Sequence, residues 1–75
     1  MRNTIRYIVE TNRDAFDNSS LEERRELLDV AFLACGATVE HGIPAPLCAM
    51  ITMPKEGEHR AIVQYGGDKV RVLTA

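Results

Sequence analysis

The sequence reads as one α+β domain spanning residues 1–75, in the order β-α-β-β-β, with a four-stranded, mainly antiparallel sheet and one helix packed on one face. Three observations predict this. "SSLEERRELLDVAFLACG" carries a capped helix signal. "LCAMITM" is a strand-sized run bounded by Pro46 and Pro54. "RAIVQYGGDKVRVLT" places two alternating runs around Gly-Gly-Asp. At 75 residues there is room for a single domain only. A chain of this size buries roughly 60% of its unfolded surface, so association with another chain is a common source of added stability.

The first strand is expected over about residues 3–11, where Ile5, Tyr7 and Val9 alternate with Arg6, Ile8 and Glu10. The Asn, Asp and Ser cluster of "NRDAFDNSS" then marks a loop, with Phe16 as an anchor against the body. Ser20 and Glu23 have the spacing of a capping box, which starts the helix. Leu21, Leu28, Ala31, Phe32 and Cys35 form its apolar stripe, widened by Leu27 and Ala34. The run Glu22–Glu26 reads as a solvated face, with Arg25 and Asp29 paired at i, i+4. From Val30 to Cys35 the helix is apolar all round and calls for cover on more than one side. Two endings are open. Gly36 offers a left-handed cap, whereas Gly42 with Pro44 beyond it makes the fuller stop signal and favours a helix running through His41.

Pro at both borders suits a second strand that starts and stops abruptly. "PKEGEH" is a charged turn centred on Gly57. The last two strands pair as a hairpin turning at Gly67-Asp68 or Gly66-Gly67. With the former, Tyr65 faces Val70, Val63 faces Val72 and Ile62 faces Leu73. The inward face then carries Ile5, Tyr7, Val9, Ile51, Met53, Val63, Val70 and Val72. The outward face shows Ile8, Met50, Ile62 and Leu73 among Arg6, Thr52, Gln64 and Arg71, an apolar group rimmed by polar residues, as in an association surface.

Composition narrows the function. The net charge is −2, the nine basic residues are scattered, and the four aromatics do not interleave with them. That argues against a phosphate-tracking stripe or a base-stacking platform. No signal peptide or membrane-length apolar run is visible, and two cysteines without a secretion signal predict reduced thiols in a cytoplasmic protein. A Cys35–Cys48 disulfide suits that compartment poorly.

Cys35, His41, Cys48 and His59 are legitimate zinc ligands, but their spacing lacks the close pairs of structural zinc sites. The two cysteines read instead as core residues of the helix and the second strand. His41 reads as a helix-end residue and His59 as a loop residue beside Glu58. Cys48 with either histidine is a nucleophile–base pair in composition only, because no cationic neighbour or helix N-terminus activates the thiol. Gly66-Gly67 lies between strands, so it is not the phosphate loop of a strand–helix unit. No catalytic residue, metal or cofactor is assigned.

The leading expectation is a small non-enzymatic protein-protein interaction module, such as an inhibitor, adaptor or regulatory subunit. It would self-associate, as a homodimer, through a sheet edge or the outer sheet face, using Ile8, Met50, Ile62, Leu73, Arg6 and Arg71. The alternative is a small enzyme or ligand-binding protein with an intersubunit pocket rimmed by Tyr65, His59 and Cys48. A further alternative is a nucleic-acid binder using Arg6, Arg60 and Arg71.

Overall fold

A computed structural model describes residues 4–56 and 58–74. Among them, three α-helices precede a four-stranded sheet: α1 Thr4–Thr11, α2 Arg13–Asp17, α3 Leu21–Leu33, β1 Thr38–His41, β2 Cys48–Met53, β3 His59–Gln64 and β4 Arg71–Thr74. The strands form an antiparallel meander in the order β1-β2-β3-β4. The fold is α+β, with helices covering one face of an antiparallel sheet.

The element order differs from the sequence expectation at three points, one of them the short helix α2 in the expected loop. Residues 4–11, expected as the first strand, are helical, and Ile5, Ile8 and Val9 are its buried residues. Their i, i+3, i+4 spacing places all three on one helical face, while Tyr7, expected inside, is 54% exposed. The fourth strand comes instead from Thr38–His41, a segment expected to continue the helix. α3 stops at Leu33, and Gly36 takes a φ of +82°. Ala37 N–H donates to Phe32 O and Gly36 N–H to Leu33 O, the paired bonds of a Schellman ending. That local closure satisfies the last carbonyls and frees residues 38–41 to pair with β2.

The start of α3 is as expected. Ser20 Oγ accepts from Glu23 N–H, and Glu23 returns the bond to Ser20 N–H. That backbone bond holds the Glu23 carboxyl below its usual range. The expected loop before α3 contains the single turn α2, and Phe16 on it is buried. The apolar stripe holds at Leu28 and Phe32, with Leu27 and Ala31 packed against the core, but Leu21 is exposed and the charged Arg24 lies inside one turn before Leu28. Val30 and Leu33 remain uncovered, so the second half of α3 is not enclosed on several sides.

β2 begins and ends as read from its flanking prolines. In the last hairpin Val63 opposes Val72 as expected, but a bulge sets Ile62 opposite Thr74 rather than Leu73. A loop over residues 65–70 replaces the two-residue turn, so Tyr65 and Val70 are not a ladder pair. Of the turn expected around Gly57, Pro54–Glu56 form a single 3-10 turn, whereas Gly57 itself lies outside the described residues. The core holds Ile5, Ile8, Val9, Phe16, Leu28 and Phe32 from the helices against Ala49, Ile51, Met53, Ala61, Val63, Tyr65 and Val70.

Candidate interaction surface

Alternation along β2 and β3 fixes the two faces. Ala49, Ile51, Met53, Ala61 and Val63 are buried under the helices, so their neighbours Met50, Thr52, Ile62 and Gln64 point to the other side. Register then assembles that outer face in rows. Thr38, Thr52 and Arg60 form one, Glu40, Met50 and Ile62 the next, and Cys48, Gln64 and Arg71 the third. Met50 and Ile62 oppose each other directly at the centre, both half-buried. Leu73, 44% exposed, stands beside the bulge at the β4 edge. The acidic side chain of this face, Glu40, is on the β1 edge, whereas Arg60 and Arg71 are on β3 and β4.

Three residues of the expected surface, Met50, Ile62 and Arg71, are thus brought together, and exposed Leu73 stands at the adjoining bulge. Ile8 is not among them: it is 8% exposed within the core, because its segment is a helix. Arg6 lies on α1 in the helical layer, whereas Arg60 and Arg71 are on β3 and β4. Nor do Tyr65, His59 and Cys48 share a rim. His59 and Tyr65 are six residues apart along one extended segment, roughly 20 Å. Tyr65 is buried in the core, Cys48 is buried at the start of β2, and His59 opens β3, half-buried opposite Met53.

Both cysteines are free. Cys35, expected inside, is exposed beyond the end of α3, with Sγ 3.3 Å from Ala31 O. Cys48 shares the outer-face parity of Met50 and does not join the main core. Among the described residues no group of three or more His, Cys, Asp or Glu side chains could hold a metal ion. Among the same residues, no helix is long and apolar enough to cross a membrane.

Beneath the sheet lies a polar framework that the sequence reading missed. Arg24 is 5% exposed and donates only to backbone carbonyls. Nε reaches Phe16 O at 2.9 Å, Nη1 reaches Tyr65 O at 2.8 Å and Gly67 O at 2.7 Å, and Nη2 reaches Asp17 O and Asp68 O at 3.2 Å each. One guanidinium therefore fixes the α2–α3 junction to the β3–β4 loop. The signal for it was its position one helical turn before Leu28 and two before Phe32.

Arg13 and Asp17 secure the entrance of β4. Arg13 Nη1 donates to Val70 O, and Asp17 Oδ1 accepts from Val70 N–H at 3.0 Å. Arg13 Nη2 also pairs with Glu10 at 2.6 Å; that hydrogen bond lowers the Glu10 pKa and raises that of Arg13. At the opposite edge His41 is on β1, not at a helix end. Its Nε2 lies 2.8 Å from Asp29 Oδ1 and its ring packs edge-on to Tyr65 at 5.9 Å. Asp29, expected to pair with Arg25 along the helix, thus ties α3 to β1.

The geometry describes a sheet backed by helices, and among the described residues no helix lies over its outer face. Comparison with known protein families, with characterised proteins and with solved structures finds no match for this chain.

Proposed function

We propose that this chain is a small protein-interaction domain whose helix-free sheet face pairs with a second copy of itself. The observation that carries the reading is the central Met50–Ile62 cross-strand pair, flanked by Leu73 and left uncovered by the helices. An antiparallel sheet usually exposes one face, but that face ordinarily alternates to polar residues at its centre.

Charge selects a second copy as the occupant. A two-fold axis parallel to β2 and β3 lays the β1 edge of each copy over the β4 edge of the other. Glu40 then comes to the side on which Arg71 of the second copy stands, while the two apolar centres meet. Four strands about 4.8 Å apart, two about 20 Å long and two about 13 Å long, present roughly 300 Å² of planar area per copy. Such a pair belongs to the small, reversible class of interfaces.

Sedimentation equilibrium over a wide concentration range tests the reading. The mass should rise from the 8.4 kDa of one chain toward twice that value. A mass that stays at one chain at every concentration, up to millimolar, would exclude it.

A further inference from the structure

We propose that the β3–β4 loop forms a binding site for a phosphoryl group, organised from behind by Arg24. The reasoning starts from peptide geometry. The carbonyls of Tyr65, Gly67 and Asp68 all turn inward to the Arg24 guanidinium. Among the described residues the cis peptide bond is Ile43–Pro44, so the loop peptides are trans. In a trans peptide the N–H points opposite to the C=O of the same unit. The N–H groups of Gly66, Asp68 and Lys69 therefore point away from Arg24, which approaches from the helical layer.

Opposite the helical layer lies a concavity of about 380 Å³ lined by Gln64, Gly67, Asp68, Lys69 and Arg71. That volume is at the small end of the range for ligand pockets, roughly 300–1,000 Å³. Asp68 and Lys69 line the concavity, and successive outward-turned amides form an anion-binding arrangement. Lys69 and Arg71 add two cations at its wall. Arg71 spends Nε on Gln64 Oε1 at 3.2 Å, which orients the side chain and leaves both terminal amino groups for a ligand. Arg24 contributes a further positive charge behind the loop, since its partners are carbonyls rather than carboxylates.

The loop is also held in place before any ligand arrives. Arg24 fixes three of its carbonyls, Arg13 and Asp17 hold both backbone groups of Val70, and Tyr65 N–H donates to Leu47 O at 2.9 Å. Ordering such a loop costs binding energy, and here the ordering is built into the fold. Asp68 is the one acidic side chain in the lining and opposes the anion. Two cations and the outward-turned amides of Asp68 and Lys69 favour a tetrahedral, dianionic oxyanion over a planar carboxylate.

Titration with inorganic phosphate, followed by amide proton–nitrogen NMR at fixed ionic strength, tests the assignment. Saturable shifts centred on Gly66, Asp68 and Lys69 are expected. Lys69→Ala and Arg71→Gln should each weaken binding about tenfold, the loss of one charged hydrogen bond, Lys69→Ala with the rest of the spectrum unchanged. Asp68→Asn should tighten it, a sign that general loop damage does not produce. Non-saturating shifts, equal shifts with acetate or chloride, or weaker binding by Asp68→Asn would overturn the proposal.

Discussion

Arg24 Nη1 lies 2.8 Å from the carbonyl oxygen of Tyr65, joining residues 41 positions apart with Arg24 only 5% exposed. The same guanidinium satisfies four further carbonyls, in the α2–α3 junction and the β3–β4 loop. A charge this buried is retained only with all its donors satisfied.

Replacing Arg24 with Met should therefore cost about 3–5 kcal/mol, since it orphans several carbonyls at once. Arg24→Lys should recover part of that, because an ammonium carries three donors instead of five. Urea unfolding of the three proteins checks the order wild type, Lys, Met. Equal midpoints would mean that the staple does not support the fold.

The capping box at α3 makes a pH-dependent contribution. Ser20→Ala should destabilise by about 1 kcal/mol at neutral pH. The folded Glu23 pKa lies below its ordinary 4.5, so its contribution is fully present above that value and is lost as pH falls through the folded pKa. The stability gap between wild type and Glu23→Ala should accordingly narrow on acidification below 4.5. Urea midpoints in an acid series measure it. A gap that widens would contradict the assignment.

Gly66 passes close to the Leu47 side chain. A Cβ added at Gly66 would lie 2.5 Å from both Leu47 Cβ and Cδ1, and Leu47 itself holds a φ of 65°. Gly66→Ala should therefore destabilise by about 1–3 kcal/mol, the usual range for overpacking. Gly67→Ala, whose nearest contacts are 3.7 Å or more, should be milder. Thermal unfolding of the pair checks the contrast.

Features fixed by neighbouring residues were legible in the sequence. Ser20 and Glu23 bond each other, and the prolines bounding β2 stand within two residues of its ends. The central part of the outer face was legible too, because period-two alternation survives whatever packs behind it. Residues 4–11 were not legible: Ile5, Tyr7 and Val9 alternate like a strand, while Ile5, Ile8 and Val9 keep helical spacing. Burial of Ile8 against the core decides between the two, and that contact depends on tertiary packing. The end of α3 was similarly ambiguous, since the choice between Gly36 and Gly42 rests on whether residues 38–41 find a strand to pair with. Arg24 was hidden by its type, because a charge among glutamates reads as solvated until its carbonyl partners are known.

Self-association through the bare sheet face is tested most directly by the solution masses of wild type, Ile62→Glu and Val30→Glu, measured side by side by sedimentation equilibrium. Ile62 is at the centre of the outer face, whereas Val30 is the most exposed large apolar residue of α3, at 68%. Wild type and Val30→Glu should form a concentration-dependent dimer, while Ile62→Glu should remain a folded single chain, with unchanged far-ultraviolet dichroism. A dimer that survives Ile62→Glu, or one that Val30→Glu abolishes instead, would contradict pairing through this face.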